Sequence, residues 1–501
     1  MSSPEPGVVL NAAPKTTKIE THGIATIPHE DRTSGWFDLM RMQFGGANTF
    51  ATALFGSVAV SLGLSFWQAV AAVVLGVAVG TAVLAPMGLY GPRTGTNNAV
   101  SSGAILGVKG RIAGSLLSFL TAVAFYSISV WVGGDAIVGA LTRITDVSDS
   151  TGLRTAIYAA IGFTVIVVVT YGYQFMLMVN KIAVITNTVL MLLAFVAFAG
   201  SFDPSYSPGP DAYALGSFWP TFVAAALVAM SNPISFGAFL GDWSRYIPAD
   251  TPQRKIIGAT FLAQGLTLVP FLFGVATATL VFGEEDYVVA LIQVSPGWYA
   301  ALLIVVAFIG GMSTGTTALY GTGLDFSSVF PRFSRVQSTI GLGAVAFLFI
   351  VTGRLFFDLL EVVNAFVGAI LVTTTPWIVI MTLGYVFRRG FIDADAVQVF
   401  NQRKKGGRYW FRDGVNWRAM CAWLLASVLG LLFASFPPII VGPFADLGGG
   451  MDLSLVVAVV SAVILYTGLL LLFPEPDYAY SDRGSFLVPT RSEPVPAVID
   501  E

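Results

Sequence analysis

The stretch SNPISFGAFLGDWSRYIP, Ser231 to Pro248, decides the fold. It closes a long apolar run, and small and polar residues interrupt that run at its middle before charge appears at Asp242 and Arg245. Pro233 has no backbone N–H to give to the helical ladder, and Ser231, Asn232 and Ser235 bring polar groups to the same turn. The stretch reads as a broken membrane helix. In hydrocarbon such a defect persists only where protein or a water-filled cavity satisfies the freed groups. Secondary transporters place substrate and coupling ion at such discontinuous helices near the bilayer midplane, because half-helix ends offer unpaired donors and acceptors there.

The rest of the chain agrees with a membrane setting. Of 501 residues 55% are hydrophobic and only 11% charged, with a mean hydropathy of +0.76, far from the composition of a soluble domain. Apolar runs of about 20 residues give roughly twelve spans, at 43–64, 67–91, 112–141, 154–172, 182–200, 218–241, 256–283, 297–322, 337–353, 357–385, 416–437 and 452–474. With a cytoplasmic N-terminus, the outer loops hold only Arg143, Arg154 and Arg354, and the rest of the 26 basic residues fall inside. Both termini are then cytoplasmic, in a multi-pass protein of the cytoplasmic membrane, with residues 1–35 and 475–501 as tails. The inside cluster Arg403, Lys404, Lys405, Arg408 and Arg412, in the loop 386–415, enforces this topology or touches anionic lipid. A net charge of −3 gives no reason to expect nucleic acid. The single cysteine, Cys421, excludes an intramolecular disulfide and reads as a packing residue, and both histidines, His22 and His29, lie in the N-terminal tail, away from any membrane site.

A second interruption is visible in the first span, FGGANTFATALFG, where Gly45, Gly46, Asn48, Thr49 and Thr52 weaken the helix. Glycine pairs also serve as close-packing contacts. The first and sixth spans are corresponding members of two five-helix halves, 36–200 and 215–385, so the matched defects suggest an inverted repeat, with 416–474 as an added pair. The segment Gly91–Gly114 is too polar to span and reads as an interfacial linker. In the third span Phe125 and Ser129 are four residues apart and share a face, as core or as binding surface. Asp135 is the carboxylate well inside the first half, a candidate proton carrier unless water at the outer end solvates it. In the eighth span Ser313, Thr314, Thr316 and Thr317 crowd hydroxyls beside Gly310, Gly311 and Gly315. Such oxygens suit a hard cation, or they bond back to their own helix. Asp242 and Arg245 suit an ion pair or a gate at the inner surface, and Glu361 and Asn364 are further pathway candidates.

Four stretches together carry a resemblance: LGLSFWQA (Leu62 to Ala69), GPRTG (Gly91 to Gly95), GDWSRYIP (Gly241 to Pro248) and GTTALYGTGLD (Gly315 to Asp325). In order and spacing the chain resembles the nucleobase cation symporter family, the purine and cytosine permeases, from about Gly35 to Pro474. The resemblance implies an all-α protein with a five-plus-five inverted-repeat core and two extra C-terminal helices, working by alternating access. It implies a flat base held between rings of the third and sixth spans, where Phe125 and Phe236 stand at the positions of stacking tryptophans. Ser129 matches a polar base contact, and Asn48 with Thr49 fall at the first break; Asn232, Ser235 and Thr317 complete the expected substrate set. Ser313 and Thr314 match the hydroxyl pair of the sodium site in the hydantoin-transporting branch, with Gly45, Asn48 and Gly310 as further ligands. Phenylalanine for tryptophan, serine where an amide is frequent, and Leu319 for asparagine reduce hydrogen-bonding capacity, which favours a different or more apolar ring than cytosine.

The expectation is therefore a transporter, not an enzyme, that imports a neutral nucleobase or related heterocycle (purine, cytosine, hydantoin- or allantoin-like) with sodium or protons and needs no cofactor. The scarcity of buried charge argues that the ligand is uncharged. The rival readings are a carrier of the same architecture for an amino acid or vitamin, and a membrane-embedded enzyme. The latter has no paired carboxylates, His or Cys set, or phosphate-binding glycine loop behind it. Expected partners are the heterocycle and membrane lipid; the oligomeric state stays open.

Overall fold

The computed structural model describes residues 24–284, 286–330, 332–353, 359–436 and 440–500. Eighteen α-helices run through them in the order α1 (Trp36–Ala47), α2 (Phe50–Ser61), α3 (Phe66–Leu84), α4 (Tyr90–Thr94), α5 (Asn98–Ser101), α6 (Gly103–Leu106), α7 (Ile112–Ile144), α8 (Thr151–Tyr171) and α9 (Tyr173–Phe198). There follow α10 (Phe218–Ser235), α11 (Leu240–Ser244), α12 (Gln253–Ala278), α13 (Tyr287–Val294), α14 (Gly297–Val329), α15 (Arg335–Gly353), α16 (Leu359–Phe387), α17 (Trp417–Leu432) and α18 (Ser454–Leu472). Among the described residues ten helices are long and apolar enough to cross a membrane, and Phe50–Ser61 and Trp417–Leu432 are shorter apolar helices.

The helices that matter for function pack closely because small residues line their contacts. The helices α2 and α12 cross where Gly56 faces the Phe271 carbonyl and Gly274 faces the Ala53 carbonyl; a Cβ on either glycine would lie 2.1 or 1.9 Å from that oxygen. The long α7 and α14 pack along each other, and α3 packs on α10. The pair α17 and α18 packs on itself and on α16, beside the other helices and not among them.

Three expectations change here. The fifth span begins nine residues before 182: α9 starts at Tyr173, because Asn180 is buried against Gly45 while Lys181 is exposed and lets its stem lie along the helix. The segment Gly91–Gly114, expected as an interfacial linker, is folded into a knot of short helices, α4, α5 and α6, with Thr94, Thr96, Asn97, Asn98 and Arg111 fully buried within the protein. Cys421 does not pack; it is exposed on α17.

At one end of the molecule the first and last described segments are docked. The Ile27 N–H donates to the Gly95 carbonyl at 2.9 Å, the Arg32 guanidinium to the Pro92 carbonyl at 3.0 Å, and the Ser34 N–H to the Tyr246 carbonyl at 3.0 Å. Nearby, Lys404–Lys405 pairs antiparallel with Ile499–Asp500. Buried Arg388 binds Glu475 at 2.7 Å, and Asn416 and Tyr480 hydrogen-bond the same carboxylate.

Candidate functional site

Helix α1 ends at Ala47, Asn48 closes its last turn by donating its N–H to the Phe44 carbonyl, and Thr49 runs extended before α2 starts at Phe50. A helix end leaves its last carbonyls without partners, and in a dry interior these must be satisfied. Here α14 supplies the partners. The Ser313 hydroxyl donates to the Gly45 carbonyl at 2.8 Å and the Thr314 hydroxyl to the Gly46 carbonyl at 2.6 Å. Helix α9 supplies one more, with Asn187 donating to the Asn48 carbonyl at 3.0 Å, and its Thr188 hydroxyl accepts from the Asn48 side-chain amide at 3.1 Å. Of the four crowded hydroxyls on α14, Ser313 and Thr314 reach across to the break, while Thr316 and Thr317 bond back to the Ser313 carbonyl.

The second interruption lies one turn later than Ser231–Ser235. Helix α10 carries Pro233 inside its last turn, and the Ser231 and Ser235 hydroxyls bond back to the Val228 and Asn232 carbonyls. The chain then tightens into a 3₁₀ turn over Phe236–Ala238 and restarts as α11. The Gly237 carbonyl in this turn is held by the Asn98 amide at 2.8 Å, so the buried knot after α4 caps the break. Phe236, Phe239 and Trp243 form a ring cluster with centroids 5.5–5.6 Å apart.

Between the two breaks is a small cavity with about 320 Å³ of space between atoms, of which about 10 Å³ admits the centre of a water. That is room for one water. Thr49 and Thr52 line it from the first break, Phe125 from α7, Asn232, Phe236 and Phe239 from the second break, and Thr314 and Thr317 from α14. Among the described residues the Asn232 Oδ1 and the Thr49 hydroxyl are buried with no hydrogen-bond partner, and no charged side chain lines the cavity. Ser129 bonds back to the Phe125 carbonyl at 2.6 Å and lines an adjoining cleft with Thr49, Gly310 and Gly311. Gly45, Asn48, Ser235 and Ser313 line neither; they lie behind the walls. Thr52 and Phe239 are lining residues that sequence reasoning did not place in the site. The signal for Phe239 was its spacing, three residues after Phe236.

Below the cavity four charged side chains are buried together. Asp242 lies on α11 and Arg245 just past its end, Asp325 on α14 and Arg111 at the foot of α7, each no more than 1% exposed. Arg245 donates to the Tyr320 hydroxyl at 2.9 Å, and Asn97 donates to Asp325 at 3.0 Å. Asp325 feels the charges of Asp242, Arg111 and Arg245. Burial pulls the Arg111 guanidinium down to about 10, with Asp325 acting in the opposite direction. Arg111, Asn97 and Asp325 escaped the sequence reading because the eighth span was ended at 322 and Gly91–Gly114 was read as a linker. Asp135, in turn, is not solvated: it is 1% exposed and bound to Arg154 and to the Tyr158 hydroxyl, each at 2.5 Å. Glu361 and Asn364 lie where no side chain is described.

Two interrupted helices, with a small, mostly apolar cavity between them and a long helix of hydroxyls behind, make up the core of this helical bundle. Solved structures share this fold. Mhp1, a nucleobase-cation-symport-1 family transporter in a closed conformation with bromovinylhydantoin bound, matches with a TM-score of 0.69 at 20% identity over 92% of this chain and 97% of its own. A Na⁺-coupled sialic acid symporter matches at 0.57 and 14% identity, over 89% and 91%. The family described as permease for cytosine/purines, uracil, thiamine, allantoin matches residues 26–457. A Bacillus subtilis protein bearing the name purine-cytosine permease YxlA is 23% identical over 90% of this chain and 95% of its own length. The Bacillus subtilis allantoin permease is 22% identical over 93% and 96%. The chain belongs to this family of cytosine, purine and allantoin permeases: it is an integral membrane transporter, not an enzyme.

Proposed function

We propose that the protein imports a neutral nucleobase or a related heterocycle, of the purine, cytosine or hydantoin and allantoin kind, by cation symport and alternating access. One observation carries the proposal. The cavity is lined by the rings of Phe125 and Phe236 together with two residues that carry unsatisfied polar atoms, Asn232 (Oδ1) and Thr49 (hydroxyl), and by no charge. Phenyl faces suit a planar ring, an amide oxygen needs an N–H donor, and a charged ligand would lie unpaired in a low-dielectric site. An amino acid, with its carboxylate and ammonium, fits poorly. The cavity admits a ring only when its walls part, which suits a site that opens in turn to either side.

Sodium is the coupling ion we favour. The Gly45 and Gly310 carbonyls, the Asn48 backbone and the Ser313 and Thr314 hydroxyls form its oxygen set, in keeping with the contact of Ser313 with the Gly45 carbonyl. An ion there would replace the hydroxyl-to-carbonyl bonds, joining α1 to α14 without a formal counter-charge. Ser129 and Ser235 would complete the substrate shell as the walls move, and Asp242 and Arg245, within the four-charge cluster, form the inner gate. The twelve-span count, the inverted repeat 36–200 and 215–385, the cytoplasmic termini and the place in the cell membrane belong to the same reading. Uptake into protein-loaded vesicles tests it: labelled bases or hydantoins accumulate when an inward sodium gradient is imposed, and amino acids do not compete. Flux that ignores every ion gradient would make the protein a channel.

A further inference from the structure

The end of the molecule where the first and last described segments dock also carries a groove of about 560 Å³, where α18 ends, α17 begins and the segment 474–493 runs past them. Its lining combines apolar residues, Leu472, Phe473 and Trp417 among them, with three arginines, Arg412, Arg418 and Arg491, and one carboxylate, Glu493. Arg418 is built into the wall, donating to the Pro474 carbonyl at 3.0 Å and lying 5.1 Å over the Trp417 ring. Arg412 is exposed, and Arg491 is half-exposed beside Glu493 at 2.9 Å. Three arginines against one carboxylate leave the groove positive. The apolar lining continues onto the outer faces of α17 and α18, where Leu424, Leu425 and Leu471 are about half exposed and Leu472 is 75% exposed. In a membrane protein those faces meet acyl chains.

We propose that this groove is a headgroup site for an anionic phospholipid, with the phosphate at Arg412 and Arg491 and the acyl chains along α17 and α18. Charge and geometry select that occupant. A planar guanidinium matches phosphate oxygens in pairs, arginine stems lie along apolar surface while their heads stay polar, and basic residues at a membrane surface attract anionic headgroups. The site is independent of the transport cycle and stands whether or not the substrate reading holds. Arg412, which the sequence allowed either to set topology or to touch lipid, takes the second role through the fold, because the segment 474–493 brings Arg491 beside it.

The test compares purified full-length protein with two double variants, R412Q/R491Q in the groove and R403Q/K404Q elsewhere in the same basic loop. Native mass spectrometry counts phosphatidylglycerol against phosphatidylcholine retained from mixed micelles, and thermal melting reads the same lipids and inorganic phosphate. The wild type and R403Q/K404Q retain phosphatidylglycerol preferentially, and the groove variant loses about fivefold of that preference per arginine removed. Equal loss in both variants, no preference in the wild type, or inorganic phosphate stabilising as well as the lipid would each overturn the site. A photoactivatable phosphatidylglycerol needs no substitution. Labelling confined to peptides within 411–418 and 472–493 supports the groove, and labelling spread over other helices contradicts it.

Discussion

Asn232 shows what a single residue can disclose. Its amide sits in the cavity with Oδ1 unpartnered, and a buried acceptor left without a donor costs about 1–3 kcal/mol. A ligand N–H recovers that cost. Asn232→Leu is therefore expected to weaken ligand binding about tenfold or more, read by ligand-induced thermal stabilisation, while leaving the melting temperature of the unliganded protein unchanged or raised. Phe236→Ala should weaken binding by a similar factor through lost stacking, and Phe236→Trp should keep it. For the cation, Thr314→Val removes one hydroxyl and leaves the Gly46 carbonyl short of a partner; sodium should then no longer raise the melting temperature. Residue types were legible in the sequence, but side-chain directions were not. Asn48 stands at the break as expected, yet its amide turns to Thr188 on α9, a contact 140 residues away that no local pattern encodes.

At the scale of elements, the sequence showed which helices break, because glycine, proline and clustered hydroxyls oppose continuous helix inside an apolar run. It misplaced the second break by one turn. The Ser231 and Ser235 hydroxyls bonded back and the helix ran through Pro233 to Ser235. The cap on that break, Asn98, lies in a segment whose polarity looked superficial but whose polar side chains are buried inside the protein. Asn98→Leu is expected to lower the melting temperature and impair transport, because a buried carbonyl in the unwound turn loses its donor; Asn98→Asp, which keeps the shape but not the N–H, should behave alike. The pair Asp135 and Arg154 joins α7 to α8. Arg154 is a quarter exposed, so water softens the loss, and Arg154→Gln should destabilise by roughly 1–3 kcal/mol. Adding Asp135→Asn should restore most of it, since the stranded charge is then gone.

For the whole molecule, composition pointed to a membrane protein and four short motifs carried the resemblance that the family match over residues 26–457 bears out, because both depend on what the chain is made of. The relation between helices could not be read that way. The cluster of Asp242, Arg245, Asp325 and Arg111 draws on three separate stretches, and it forms only when α7, α11 and α14 are brought together. In the proposed reading, the cation site, the ring site and the moving walls all follow from broken helices around an uncharged cavity. The most direct test is ligand binding by the purified protein over purines, pyrimidines, hydantoins, allantoin and amino acids, with and without sodium, read by thermal shift. The account predicts stabilisation by an uncharged planar ring that strengthens with sodium and is lost in Asn232→Leu; stabilisation by an amino acid, with Asn232→Leu without effect, would contradict it.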